Sequence, residues 1–182
     1  MAQGSIVIGF EIVLSDVDRG VYEALSLKAA QHPSETAVYL VTRVLAFALE
    51  YAEGIEMGVA TGDAPALSVR DATGRLCAWI DVGTPDAARL HRASKAAERV
   101  AVYCHKEEGS WLRSLAGHDV HRAESIALFR IERAFVDAVA ERLERRNAWS
   151  LSVTEGTLYL EIGGQTLVGT VERLPWPQPD AG

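Results

Sequence analysis

Apolar and polar residues alternate at both ends of the chain, and this alternation predicts β-strands. The first strand covers residues 5–14, and a second covers residues 21–29 after the turn SDVDRG. Near the other end, WSLSV, TLYLEI and TLVGTVERL alternate in the same way, separated by turns at Glu155-Gly156 and Gly163-Gly164. This last region is therefore predicted to be a β meander.

Between these strands, helical and strand patterns alternate along the chain. A helix is predicted over residues 33–51, with Pro33 at its first position and Glu35 in its first turn. Residues 66–82 are predicted to form a hairpin around the turn DATG. A helix beginning at Thr84-Pro85, a strand at ERVAVYCH, a short helix at 107–118, a strand at ESIALFRI and the amphipathic helix ERAFVDAVAERLERR follow.

The element order ββαββαβαβαβββ defines the predicted fold class. It is α/β (or α+β), with a mixed central β-sheet flanked by helices and an additional antiparallel β layer. The length of 182 residues favours one domain, placed at residues 1–173. The Pro-rich segment 174–182 is predicted to be a loose C-terminal tail.

Composition excludes several classes of protein. A hydrophobic content of 48% and a charged content of 24% exclude a disordered tail protein, collagen and a disulfide scaffold. No apolar run approaches the roughly 18 residues of a membrane span, and no signal peptide is expected. Cys77 and Cys104 lie in apolar stretches and are expected to be buried, reduced thiols of a cytoplasmic protein. The net charge of −7 argues against general nucleic-acid binding but allows a local basic groove.

The predicted hairpin carries the best candidate chemistry. Cross-strand residue numbers that sum to about 145 place Asp81 opposite Ala64, at the open end of the hairpin and just before a helix. Crevices at the carboxyl ends of strands are where α/β folds bind ligands. The carboxylates of Asp81 and Glu35 would suit a divalent metal, and the cations Arg92 and Lys95 would suit a phosphate. The alternative is that each of these residues is purely structural.

Three stretches resemble the YaeQ family of small bacterial proteins: SDVDRGVYEALSLKAAQHPSET, RVLAFALEYAE and AWIDVGTPDAARL. The resemblance runs from about residue 5 to residue 160 and implies a fold similar to the PD-(D/E)XK (restriction-endonuclease-like) nucleases, with a metal site on a hairpin. It assigns Asp81 as the acid of the return strand, the Val82 carbonyl as a second metal ligand, and Glu35 as an acid of the first helix.

This chain departs from the family pattern at several of those positions. The run that usually carries further acids at the hairpin start is here Asp63, Ala64, Pro65 and Ala66. Arg92 stands where the family usually has a lysine, and an arginine cannot accept a proton at usable pH. Asp63 could replace a lost ligand from its loop, and Lys95 could replace the lysine. The resemblance therefore implies a weakened or inactive Mg- or Mn-dependent phosphodiesterase site.

Two functional hypotheses remain open at the level of the sequence. The first is a metal-dependent nuclease or its inactive descendant, with Glu35, Asp81, Arg92 and Lys95 as the catalytic set. Its nucleic-acid groove would be lined by Arg89, Arg92 and Lys95. The second is a non-catalytic binding or regulatory protein that acts through a protein or RNA partner. Two further features, the pair His118 and His121 and the dipeptide Cys104-His105, are weaker metal or nucleophile candidates.

Overall fold

The computed structural model describes residues 4–58 and 62–179. Its contacts divide the chain into two compact units, the first formed by residues 1–51 and 131–172 and the second by residues 52–130 and 173–182. The chain therefore passes from one unit to the other three times. The single domain predicted over residues 1–173 stays a prediction.

The described residues form ten strands, four α-helices and one short 3-10 helix, at Ala123–Ser125. In chain order these are β1 (Ile6–Asp16), β2 (Val21–Gln31), α1 (Ala37–Leu49), β3 (Ile55–Met57), β4 (Leu67–Arg70), β5 (Leu76–Val82), α2 (Ala87–Ala96), β6 (Arg99–Cys104), α3 (Gly109–Leu115), β7 (Ala127–Ile131), α4 (Arg133–Ala140), β8 (Arg146–Thr154), β9 (Thr157–Ile162) and β10 (Gln165–Leu174).

The first unit contains five neighbouring strands in the order β2-β1-β8-β9-β10. The predicted meander is present, because β8, β9 and β10 pair antiparallel. β1 and β2 pair antiparallel, as the predicted antiparallel layer requires, but β1 pairs parallel with β8. Local alternation fixes the inward face of each strand and leaves open which strand lies beside it, so this pairing was not predictable. Helices α1 and α4 pack against each other in this unit.

The second unit contains the strands β3-β4-β5-β6-β7 in that order. The predicted hairpin is present as β4 and β5, while β5, β6 and β7 pair parallel. In the DATG turn, one carboxylate oxygen of Asp71 accepts hydrogen bonds from the backbone N–H groups of Thr73 and Arg75. The three-residue strand β3 was not predicted. A mixed α/β fold is thus present, with parallel pairs where strands and helices alternate.

All four helices differ from the prediction at their ends, and α3 covers only Gly109–Leu115 of the predicted residues 107–118. Helix α1 begins after Thr36, whose hydroxyl accepts a hydrogen bond from the Tyr39 N–H, and not at Pro33. Helix α2 begins after Asp86 for the same reason, since this carboxylate accepts from the Arg89 N–H at 2.8 Å. Helix α4 ends at Ala140, well before the end of its amphipathic pattern. Hydrogen bonds of capping side chains decided both starts.

The C-terminal segment is attached to the second unit over part of its length. Leu174 and Trp176 pack against a core cluster that includes Leu90, Val102 and Leu128. The loose tail predicted over residues 174–182 does not describe these two side chains, because apolar contacts hold them. Residues 180–182 lie outside the described part of the chain.

Two smaller expectations concern the thiols and the membrane. Cys104 is a buried free thiol, whereas Cys77 is half-buried rather than buried. In the described part of the chain, no helix combines the length and the apolar character that crossing a bilayer requires.

Candidate metal and phosphate site

Strand β5 delivers Asp81 to the candidate site. The hairpin register pairs Leu67 with Ile80, so paired numbers sum to 147, about two more than the turn alone suggested. On its other side β5 pairs parallel with β6, where Asp81 lies opposite Val102. The Asp81 side chain is only 4% exposed. A carboxylate buried to this degree requires a charged or hydrogen-bonding partner.

Arg89 of α2 supplies that partner with a two-point contact. Its Nε donates to Oδ2 of Asp81 at 2.7 Å, and its Nη2 donates to Oδ1 at 2.9 Å. This is the bidentate geometry in which arginine binds carboxylates most strongly. Both carboxylate oxygens of Asp81 therefore accept hydrogen bonds from one guanidinium group.

The same guanidinium group also connects other parts of the site. It donates to the carbonyl oxygen of Ala64 at 2.8 Å and to that of Gly62 at 3.3 Å, on the segment that leads into β4. Its Cζ lies 5.4 Å from the ring centroid of Trp79, within the range of a cation–π contact. Arg89 thus joins β5, the start of α2 and the segment before β4.

The other predicted residues of this region lie on its exposed side. Asp63 and Arg92 form an ion pair at 3.5 Å, with side chains 95% and 58% exposed respectively. Lys95 is exposed in the last turn of α2, where the helix dipole favours a cation. Val82 ends β5 opposite Tyr103 and is 8% exposed. Asp63, which the sequence predicts to be a metal ligand, therefore already pairs with Arg92.

Glu35 belongs to the first unit, whereas Asp81 belongs to the second. Glu35 precedes α1 rather than lying in its first turn. Its side chain is 2% exposed and lies 3.1 Å from Nη2 of Arg43. The backbone N–H of His32 donates to Oε2 of Glu35 at 3.2 Å. Burial raises the pKa of this carboxyl group, and the Arg43 charge opposes that rise. A site that Glu35 shares with Asp81 stays a prediction.

The residues around Asp81 do not fit a divalent metal ion. Mg²⁺ and Mn²⁺ bind oxygen ligands that have free lone pairs facing the ion, usually including carboxylates. Here the one buried carboxylate is occupied by Arg89, and Ala64 and Ala66 supply no acid. Across residues 4–58 and 62–179, no three His, Cys, Asp or Glu side chains form a group that could hold a metal ion. The expectation of Mg or Mn stays a prediction.

The remaining histidine candidates show a local structural contact. The backbone N–H of His121 lies 3.3 Å from Nδ1 of His91, and the two rings lie 6.4 Å apart. Nδ1 of His91 also lies 3.2 Å from the carbonyl oxygen of Asp119. His91, which the sequence did not single out, thus connects α2 with the loop that carries His118 and His121.

The fold and this site define a class of small mixed α/β proteins in which a buried carboxylate at the end of a parallel-paired strand is bound by an arginine of the next helix. The family model for the YaeQ protein matches residues 1–171. The chain belongs to the YaeQ family.

Relatives and solved structures agree with this assignment over nearly the whole chain. YaeQ of Escherichia coli (strain K12) is 24% identical over 184 residues, covering 98% of this chain and 99% of the relative. YaeQ of Salmonella typhi is 22% identical with the same coverage. The crystal structure of YaeQ from Pseudomonas syringae matches with a TM-score of 0.84 and 28% identity, over 93% of this chain and 96% of that one. YaeQ from Xanthomonas axonopodis pv. citri matches with a TM-score of 0.85 and 27% identity, over 95% and 99%.

Proposed function

We propose that this protein is a non-catalytic binding protein that descends from PD-(D/E)XK-like phosphodiesterases. The observation that supports this proposal is the bidentate contact between Arg89 and Asp81. A metal-dependent phosphodiesterase needs a carboxylate that is open to a divalent ion, which lowers the pKa of a bound water and creates the nucleophile. In this chain both carboxylate oxygens of Asp81 already accept hydrogen bonds from the Arg89 guanidinium group, which would take the place of the ion.

Charge explains why this replacement is stable. Burying an isolated carboxylate costs several kcal/mol, and a metal ion or an arginine can each offset that cost. Because Arg89 is part of the chain itself, it holds Asp81 without a metal ion, and the site needs no cofactor to keep its shape. The exposed cations Arg92 and Lys95 then serve binding, to a protein or to RNA, rather than proton transfer.

The alternative is a Mg- or Mn-dependent phosphodiesterase in which Glu35, Asp81, Asp63, Arg92 and Lys95 act together. The family resemblance favours it, because the position of Asp81 matches the return-strand acid. It requires Arg89 to leave Asp81 when the metal binds. The two hypotheses therefore differ in one measurable property, the affinity of the native chain for a divalent metal ion.

Calorimetric titration of the wild-type protein with Mn²⁺, beside Asp81→Asn, separates the two hypotheses. We expect no binding tighter than millimolar in either protein. Incubation with single- and double-stranded DNA and RNA plus Mn²⁺ should leave all substrates intact. Micromolar binding that Asp81→Asn abolishes, or cleavage that depends on Asp81, would refute the proposal in favour of the phosphodiesterase.

Arg89→Met tests whether the arginine itself keeps the metal out, with Arg92→Met as a control of equal charge change. We expect Arg89→Met to gain Mn²⁺ affinity at least tenfold, because it frees both oxygens of Asp81. Arg92→Met should behave as the wild type. Equal Mn²⁺ affinity of all three proteins would show that Arg89 does not exclude the ion.

A further inference from the structure

Strand β2 is the end strand of its sheet, and among the described strands it pairs only with β1. Its eleven residues contain no proline, and its register with β1 runs from Val21 to Gln31 without a bulge. Proteins usually protect a long end strand from further pairing by prolines, bulges or a very short length. Because β2 has none of these three protections, its outer edge is a candidate for pairing with another strand.

The backbone hydrogen bonds show which groups of β2 face that edge. The N–H of Gly9 donates to the Arg145 carbonyl oxygen just before β8, so the odd-numbered residues of β1 direct their backbone groups to β8. The even-numbered residues of β1 therefore bond to β2, where the register pairs them with odd-numbered residues such as Leu27. The even-numbered residues of β2 direct their N–H and C=O groups away from β1. In agreement with this, the Ala30 carbonyl oxygen accepts a hydrogen bond from Nη2 of Arg43 at 2.8 Å.

Four alternate residues of β2 keep these outward groups unpaired, and we call them the free edge of β2: Tyr22, Ala24, Ser26 and Lys28. Across the part of the chain that the structure describes, their four N–H and four C=O groups have no hydrogen-bond partner. All four side chains are exposed, that of Tyr22 to 62%. An antiparallel strand added at the free edge would use all of these groups, because directly paired residues exchange both of their hydrogen bonds.

The exposed face of the sheet beside the free edge carries a localised positive charge. Lys28 and Arg146 lie in one row on either side of Gly9, which has no side chain to separate them. The strand spacing places them about 10 Å apart. Neither cation forms an ion pair with a described residue. In the next row, the Ser26 hydroxyl donates to Oε1 of Glu11 at 2.6 Å. A negative charge on an added strand is therefore favoured opposite Lys28 and disfavoured opposite Ser26.

We propose that the free edge of β2 binds an extended segment of a partner protein that carries an acidic residue opposite Lys28. The segment runs antiparallel to β2, the more stable of the two orientations. Such β-augmentation takes its affinity from main-chain hydrogen bonds and its specificity from alternate side chains. An aromatic or apolar residue of the segment pairs across the strands with Tyr22. Apolar residues of the segment opposite Leu25 and Leu27 continue the buried row to which these two leucines belong.

A second copy of this chain fits the free edge less well. Two free edges that pair about a two-fold axis and satisfy all of their backbone groups place Lys28 of each copy opposite Tyr22 of the other, so the lysine contacts no carboxylate. At about 3.3 Å per residue and one strand spacing of about 4.8 Å, the edge covers on the order of 200 Å², whereas a specific interface buries about 800 Å² per partner. This size suits a short segment. A nucleic acid has no alternating N–H and C=O groups with which to complete the ladder.

Fluorescence anisotropy with a dye-labelled peptide tests the proposal. The probe is Glu-Val-Thr-Val-Thr-Thr-Phe with an amidated carboxyl end, whose glutamate and phenylalanine lie opposite Lys28 and Tyr22 when the peptide pairs antiparallel. We expect a Kd on the order of 10–100 µM, because each main-chain hydrogen bond replaces one to water and contributes little net free energy. An N-methyl group on the third residue, which faces Ser26, should weaken binding at least tenfold, since it removes a hydrogen bond of the ladder.

Exchanging the charges is the decisive experiment. Lys28→Glu should bind the probe at least tenfold more weakly than the wild type and should prefer a peptide in which lysine replaces the glutamate. Ser26→Pro should also weaken binding at least tenfold, because it removes a donor of the free edge and breaks no bond to β1. Lys106→Glu, an exposed reversal in the second unit, is the matched control and should bind the probe as the wild type does. Circular dichroism confirms that the variants are folded, and the charge exchange remains a test if Ser26→Pro does not fold.

Several outcomes would overturn the proposal. They are a wild-type protein that does not bind the probe at about 1 mM, an N-methylated peptide that binds equally well, and a charge exchange that changes no affinity. A wild-type dimer in sedimentation equilibrium that Ser26→Pro dissociates would also overturn it, because a second copy would then occupy the free edge. None of these measurements involves Asp81 or Arg89, so their failure leaves the metal-binding test of the proposed function unaffected.

Discussion

Two buried carboxylates in the first unit show how individual residues are held. Asp16 is 1% exposed, and burial raises its pKa although the Arg19 N–H donates to it at 3.0 Å. Glu35 behaves in the same way beside Arg43. In both cases removal from water outweighs the stabilising partner. The Arg89–Asp81 pair, whose arginine side chain is 22% exposed, is held by two hydrogen bonds, one to each carboxylate oxygen of Asp81.

Arg89→Met should destabilise the fold by about 2–4 kcal/mol, because breaking a buried ion pair leaves one charge without a partner. Urea denaturation followed by tryptophan fluorescence measures the free energy of unfolding. Arg92→Met, at a site 58% exposed, should change it by less than about 0.5 kcal/mol. Equal effects of the two substitutions would contradict the structural role given to Arg89.

The stability of the wild type relative to Glu35→Gln should depend on pH. The pKa of Glu35 in the folded protein is raised above its ordinary value of 4.5, so the folded state holds this proton more tightly than the unfolded state does. The resulting stabilisation is complete below about pH 4.5 and is lost as pH rises through the raised pKa. Urea denaturation at pH 4.5–8 should show the wild type losing stability relative to Glu35→Gln. A constant difference would contradict the raised pKa.

Single contacts decide how the elements of the first unit fit together. Arg19, in the turn between β1 and β2, donates to the carbonyl oxygens of Leu49 and Tyr51 at 2.7 and 2.8 Å. Leu49 is the last residue of α1 and Tyr51 follows its cap, so the guanidinium group binds carbonyl groups at the end of the helix, where the helix dipole favours a cation. Between α4 and β10, Gly169 leaves no space for a side chain, since a Cβ there would lie 2.3 Å from the Phe135 ring.

Arg19→Ala should lower the free energy of unfolding by about 1–2 kcal/mol, because two carbonyl groups lose a charged donor. Arg19→Lys should recover only part of this loss, since one ammonium group cannot reproduce the fork of a guanidinium. Thermal and urea denaturation measure both variants. Full recovery by lysine would show that charge alone, rather than the two hydrogen bonds, holds the end of α1.

Gly169→Ala should destabilise the protein by about 1–3 kcal/mol, because the new methyl group must displace Phe135 or β10. Gly4→Ala is the control, since nothing lies within 4 Å of the added atom. Differential scanning calorimetry compares the two. An unchanged melting temperature for Gly169→Ala would show that α4 shifts at no cost.

Trp176 connects the end of the chain to the core of the second unit. Trp176→Ala should cost about 1–3 kcal/mol, because a partly buried aromatic ring loses its contacts. Amide hydrogen exchange should speed up in β6 and β7 and stay unchanged in β1 and β8. Gln178→Ala, at an exposed position, is the control. Uniform exchange across both units after Trp176→Ala would contradict a local role.

At the scale of the whole molecule, the sequence was most informative where local chemistry decides the structure. The DATG turn, the two glycine turns of the meander and the bounds of β9 follow from nearby residues. The parallel pairing of β1 with β8 does not, because it joins segments about 140 residues apart. Asp81 could be found from the hairpin. Its bidentate contact with Arg89, eight residues further on, could not, because that contact depends on how α2 packs against β5. The nucleic-acid groove predicted from Arg89, Arg92 and Lys95 stays a prediction, because spacing along a helix does not show which charges its side chains contact.

The parallel pairing of β1 with β8 also has a consequence for synthesis of the protein. The first strand leaves the ribosome long before its neighbour β8, which begins at Arg146. Synthesis runs at about 5–20 residues per second, and 115 residues separate the end of β2 from the start of β8, so the early hairpin waits roughly 6–23 s with one side unprotected. During that interval β1 offers a bare strand edge to other nascent chains. The protein should therefore depend on chaperones, or on slow growth, more during its translation than after its release.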